Sequence, residues 1–295
     1  MFRRSKGLAG PARKALARVV SSPRFELIPL RNVDAQSAFL PAGATVTVTA
    51  SPAKAIEATV ELSARLAERG FQVIPHLSAR MIRDRAHLRA LLATLAAAGV
   101  SRAFVVGGDG HEPGDFPDGL SLLRAMAEVG HQLTEIGIPG YPQGHPTIPD
   151  DRLLAALAEK QPYATSMTTQ LCFDAGAIRT WLATRRADGI NLPVNFGIPG
   201  VAELHKLIEI SARIGVRDSR RFLAKNTALV GRILRPGGYR PDGLLASLAP
   251  LIGDPAANVE GLHLYTFNQV ETTEEWRREY LAGLAAGADL APSPS

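Results

Sequence analysis

Short runs of β-branched and aromatic residues alternate with longer amphipathic stretches from residue 24 to about residue 285. The runs Phe25–Leu30, Ala44–Thr49, Phe71–His76, Ala103–Val106, Glu135–Pro139, Thr165–Phe173, Val194–Ile198 and Gly261–Phe267 read as strands. Between them, apolar positions recur at the helical period. In Ala53–Arg69, for example, Ile56, Val60, Leu62 and Leu66 share one face. Further helical patterns cover Asp84–Ala98, Gly119–Val129, Asp150–Lys160, Ala175–Arg186 and Val201–Ile214, with two more expected before the last strand and one after it. Asp150-Asp151 opens one helix, and Gly70 and Gly99 close two others.

Eight strands with interleaved helices in 295 residues predict a (β/α)8 barrel. A doubly wound open sheet is the alternative, but no G-x-G-x-x-G follows an early strand. Gly107-Gly108-Asp109-Gly110 lies at a strand end yet lacks the lysine of a phosphate-binding loop. The expected organisation is a basic extension over residues 1–22, a barrel over 23–287 and a flexible tail over 288–295.

Composition narrows the picture. Cys172 is the sole cysteine, so an internal disulfide and a thiolate metal cluster are excluded and a cytoplasmic setting is expected. The apolar run over residues 91–98 is far shorter than the ~20 residues of a membrane span. Residues 1–20 hold six basic residues and no acid, whereas the whole chain is only +5; the remainder is therefore near neutral. That argues against a general nucleic-acid surface. The basic segment reads first as a disordered solubilising arm, second as a short docked helix and third as a transit peptide.

One strand carries a carboxylate. In Arg24-Phe25-Glu26-Leu27-Ile28-Pro29, apolar neighbours surround Glu26, and an ionised carboxylate in a strand is costly unless paired, hydrogen-bonded or protonated. Such a carboxyl near a strand end is a candidate general acid. The plain alternative is a Glu facing solvent from an edge strand. Other strand ends add Thr47, Thr49, His76, Gly108, Asp109, Tyr141, Gln143, His145, Thr169, Gln170, Asn195, Tyr265, Asn268 and Gln269. A rim of that kind suits an organic ligand rich in heteroatoms. His76, Asp109 and His145 lack metal-ligand spacing, and no G-x-S-x-G elbow supports a serine hydrolase. His87, His131 and His205 are expected to face solvent, and His263 to sit in the core or barrel wall.

Taken in order, these residues resemble the methylenetetrahydrofolate reductase family, flavin-dependent (β/α)8 barrels of one-carbon metabolism. The resemblance runs from about Pro23 to Ala285. It rests on Phe25-Glu26 with Pro29, Val48-Thr49, Pro75-His76-Leu77, Gly108-Asp109, Gly114-Asp115-Phe116-Pro117, Tyr141-Pro142-Gln143-Gly144-His145-Pro146, Thr169-Gln170-Leu171-Cys172-Phe173-Asp174 and Leu264-Tyr265-Thr266-Phe267-Asn268. It implies catalytic roles for Glu26, as general acid, and Asp109. It further implies folate contacts for Gln170, Asp109, Leu204 and Asn268, and FAD contacts for Thr49, His76, Gly108, Asp109, Tyr141, His145 and Lys160. NADH or NADPH would supply the hydride. The chain departs from the family pattern at Gly107 and Gln269, where arginines are common, and at Leu204, where an aromatic is common. These departures keep open a flavin-free reductase, a tetrahydrofolate-dependent demethylase, or a non-catalytic folate- or flavin-binding partner subunit. A homo-oligomer is left open as well.

Overall fold

The computed structural model describes residues 10–51, 53–108, 113–145, 147–201 and 239–287. Eight parallel strands close into a barrel in sequence order: β1 (Arg24–Leu27), β2 (Thr45–Val48), β3 (Gln72–Ser78), β4 (Arg102–Val106), β5 (Glu135–Gly140), β6 (Ser166–Thr169), β7 (Val194–Pro199) and β8 (Val259–Tyr265). β1 pairs with β8 to complete the ring. Among the described residues the helices are α1 (Gly10–Ser21), α2 (Val33–Ser37), α3 (Ile56–Glu68), α4 (Arg85–Ala97), α5 (Gly119–Val129), α6 (Asp150–Lys160), α7 (Ala175–Ala187), α8 (Asp242–Ile252) and α9 (Val270–Ala285). None is long and apolar enough to cross a membrane.

Strand alternation divides the molecule into two environments. Phe25, Leu27, Val46, Val48, Val105, Ile138, Phe196 and Leu264 join one apolar cluster with the inner faces of the helices. The intervening positions, Glu26, Thr47, His76 and His263 among them, turn into the lumen. His76 on β3 and His263 on β8 are not on neighbouring strands, yet their ring centroids are 6.4 Å apart, which fixes both inside the barrel. Each helix is started by local chemistry where the sequence allows it. Asp84, Asp118 and Asp174 accept backbone N–H groups at the starts of α4, α5 and α7.

Two expectations change in extent. The sixth strand stops at Thr169 rather than Phe173, and residues 10–21 of the basic extension are an ordered helix rather than a loose arm. α1 buries Leu16, Val19 and Val20 against α8 and α9. Arg277 of α9 grips its end: the guanidinium donates to Val20 O and Ser21 O while pairing bidentately with Glu274 at 2.6 and 2.7 Å. A cation on the last carbonyls of a helix is favourable, and the carboxylate neutralises the buried charge. Arg18 donates to Val259 O and Glu260 O at the start of β8, which puts α1 at the N-terminal end of the barrel. That end is ionic, with Arg24 paired to Glu260 and Arg102 to Glu135. The opposite end, where chemistry sits in such barrels, is polar with few charges.

Candidate active site

Glu26 lies in the middle of β1 with its side chain only 8% exposed. Its flanking residues Phe25 and Leu27 belong to the outer apolar cluster and do not bury it; the groups across the lumen do. His263 Nε2 stands 3.2 Å from Glu26 Oε2, and the imidazole is 3% exposed. His263 is thus a lumen residue in direct contact with the candidate acid, not merely barrel wall. Period-two alternation with Tyr265 was the signal for it, since both fall on the face opposite Leu262 and Leu264. One hydrogen bond joins the two side chains, and the tautomer of the ring sets which of them donates. Oε1 has no hydrogen-bond partner among the described residues. Thr266 Oγ donates to Glu26 O, tying β1 to the exit of β8.

The neighbours of this pair are held neutral. Burial drives the His76 imidazole down to about 3, with the His263 charge adding to the effect. His76 packs against Phe104 at 4.8 Å between centroids, and its Nε2 is enclosed without a partner. Burial, then the Glu26 and Tyr141 charges, push the Tyr265 phenol well above its usual range. The phenol packs on His263 at 4.6 Å and donates to Gln170 Oε1 at 3.1 Å.

The other expected site residues differ in where the fold places them. Thr49, Gly108, Tyr141, His145 and Gln170 follow the C-terminal ends of β2, β4, β5 and β6, and His76 lies within β3. Gly108 has φ +85°, and a Cβ there would lie 1.8 Å from Ser78 Oγ, so neither the backbone angle nor the space admits a side chain. Tyr141 and His145 meet edge to face at 5.2 Å. Lys160 reaches the same region from α6 and lines one cleft with Tyr141. Its stem packs over the first residue of α5, with Cε 3.6 Å from where a Cβ on Gly119 would be. Burial lowers its ammonium, against a raising effect from Asp118. It borders a cleft of about 410 Å³ between α6 and α7, floored by Gly140 and Tyr141 and walled by Trp181. That cleft is beside the barrel mouth, not above Glu26.

Asn268 is near the rim but its amide is committed to the chain. Nδ2 donates to Ile28 O at 2.8 Å and to Asn32 Oδ1 at 3.1 Å, and Oδ1 accepts from Ile28 N at 2.8 Å. It is a buried clasp between the exits of β1 and β8 rather than a side chain presented to substrate. Asp109 and Leu204 lie outside the described residues, as does His205. His87 departs from its expected exposure: it is buried, accepts from Arg83 N–H through Nδ1 and faces Glu57 through Nε2 at 3.0 Å. Among the described residues no three His, Cys, Asp or Glu side chains converge as metal ligands would.

Comparison with known proteins fits this geometry. The model of the family described as methylenetetrahydrofolate reductase matches residues 27–220, more than half of the chain. The chain belongs to the methylenetetrahydrofolate reductase family. Solved structures with similar folds include a candidate lyase/mutase from Burkholderia cenocepacia J2315, at 15% identity and TM-score 0.45, covering 93% of this chain and 85% of that one. Tryptophan synthase from M. tuberculosis in its aminoacrylate-bound form matches at 16% identity and TM-score 0.41, over 85% of this chain and 100% of that one. Neither similarity bears on the chemistry. The family match begins at Leu27, one residue past Glu26, and spans β2 through β7.

Proposed function

We propose that this member of the methylenetetrahydrofolate reductase family reduces 5,10-methylenetetrahydrofolate to 5-methyltetrahydrofolate, with Glu26 as general acid. The observation that carries the reading is the buried Glu26–His263 contact at 3.2 Å, beside His76 and Tyr265, which burial keeps neutral. An acid that must give a proton to an amine nitrogen near neutral pH needs a site that keeps the proton available. Low exposure keeps bulk water away from the carboxyl, and the imidazole holds Oε2 so that Oε1 is turned to the substrate. Glu26 Oε1 faces the substrate side and gives its proton to the bridging nitrogen of the folate ring, which opens to an iminium ion. The carboxylate left behind accepts a hydrogen bond from His263 Nε2–H at Oε2.

The residues present fit FAD in part. The enclosed, partnerless Nε2 of His76 and Oγ of Ser78, and the bare backbone of Gly108, offer hydrogen-bonding surface at the rim. Thr49, His76, Gly108, Tyr141 and His145 would hold the group, with Lys160 as the cation for a phosphate; the family resemblance adds Asp109 to the set. The chemistry FAD would supply when bound is hydride transfer from NADH or NADPH to the folate. Gln170 and Glu26 then orient the substrate, and the closed lumen below them excludes bulk water from the acid.

The test pairs a visible spectrum of the purified protein with a 5-methyltetrahydrofolate oxidation assay. A bound-flavin band and turnover are expected. Turnover without the band would favour the flavin-free reductase or the demethylase; a band or folate binding without turnover would favour the partner subunit and overturn the reading.

A further inference from the structure

Tyr265 leans from β8 across β7 to reach β6. The crossing is possible because β7 carries Gly197 at that level: a Cβ there would lie 2.8 Å from Tyr265 Cε2 and 2.0 Å from Thr169 O. On arrival the phenol hydroxyl is 3.1 Å from Gln170 Oε1 and 3.4 Å from Thr169 O. The same Gln170 oxygen already accepts the Leu171 N–H at 2.8 Å. The Leu171 N–H can only donate, so the amide atom that it meets is the carbonyl oxygen, and the rotatable Tyr265 hydroxyl turns its hydrogen to the same atom. Gln170 itself is exposed, and its NH2 has no partner among the described residues.

We propose that Tyr265 is a positioning residue. With the Leu171 N–H it holds the Gln170 oxygen inward and the NH2 outward, so that the ligand must offer a hydrogen-bond acceptor over β6. The phenol remains a donor because burial keeps it protonated, and the Glu26 and Tyr141 charges act in the same direction. The identity of the ligand rests on the folate reading above, since the carbonyl oxygen and unprotonated ring nitrogens of a pterin are acceptors of this kind. Polarity at β6 is therefore a specificity device: an N–H in that place meets two hydrogens and is rejected. The lock itself is a statement about Gln170 and Tyr265 and holds for any ligand.

Two variants of the full chain test it, Tyr265→Phe and Gln170→Glu. The readouts are titration calorimetry with 5-methyltetrahydrofolate, steady-state kinetics and the side-chain NH2 resonances in ¹⁵N NMR. Loss of one neutral hydrogen bond predicts that Tyr265→Phe weakens binding about threefold to tenfold. KM rises with kcat nearly unchanged, and the Gln170 NH2 signal broadens. Gln170→Glu places an acceptor where a donor is needed on an exposed side chain that the fold does not depend on, and loses at least about thirtyfold in affinity. A Gln170 NH2 signal unaltered by Tyr265→Phe overturns the lock whatever the affinity does. Wild-type affinity in Gln170→Glu overturns the donor polarity. If the wild type takes up no folate, the folate reading fails, and the NMR signal still decides the lock.

Discussion

Glu26 Oε2 and His263 Nε2 face each other at 3.2 Å inside the barrel, 237 residues apart in sequence. The contact joins the first strand to the last across the seam that closes the barrel. The acid is therefore assembled only when closure is complete.

Glu26→Gln is the isosteric test of the acid. Without a transferable proton, folate turnover should fall by at least about a hundredfold, the usual scale of a general acid. Methyltetrahydrofolate affinity and the melting temperature should change little. Retained turnover would remove Glu26 from the mechanism.

His263 should matter to rate more than to binding. His263→Phe leaves Oε2 without its partner and is expected to lower kcat about tenfold or more. His263→Gln keeps an N–H donor for Oε2 but cannot carry a second proton, so it should recover the geometry without the full rate. Equal kcat in both variants and the wild type would show the imidazole to be packing alone.

Acid stability follows from His76. Its folded-state value of about 3 lies below the unfolded 6.5 because burial disfavours the cation. The unfolded chain takes up a proton below pH 6.5 and the folded chain does not, so stability is level above 6.5 and declines from there toward about 3. For this half-buried ring the loss by pH 5 is about 1–2 kcal/mol. His76→Gln should flatten that part of a urea-midpoint profile against pH. An unaltered slope in the variant would assign the acid sensitivity to other groups.

Asn268→Ala should cost stability. Its amide serves both backbone groups of Ile28, and the residue sits at φ +53°, a region asparagine tolerates better than alanine. Leaving buried backbone groups unpaired predicts a loss of about 2–4 kcal/mol, read as a lower denaturant midpoint. A midpoint within error of the wild type would mean that water replaces the clasp.

Much of the architecture was legible along the chain. The alternation of β-branched runs with 3.6-period stretches, and caps such as Asp84 and Asp174, placed the strands and most helices. So too was the importance of Glu26, because a carboxylate in an apolar strand is conspicuous at short range. Its surroundings are less legible. Phe25 and Leu27 looked like its cover, yet successive side chains of a strand point to opposite faces, and both pack outward on the helices.

The sequence by itself determined which residues could be strand, helix, cap and candidate acid, since those depend on local propensity and on period. Only the tertiary structure decided that His263 meets Glu26, that Tyr265 passes over Gly197 to hold Gln170, that Asn268 clasps Ile28 and that Arg277 docks α1. Each of these joins residues brought together by barrel closure or helix docking. No local pattern encodes such a meeting, because its geometry exists only once the ring of eight strands has shut.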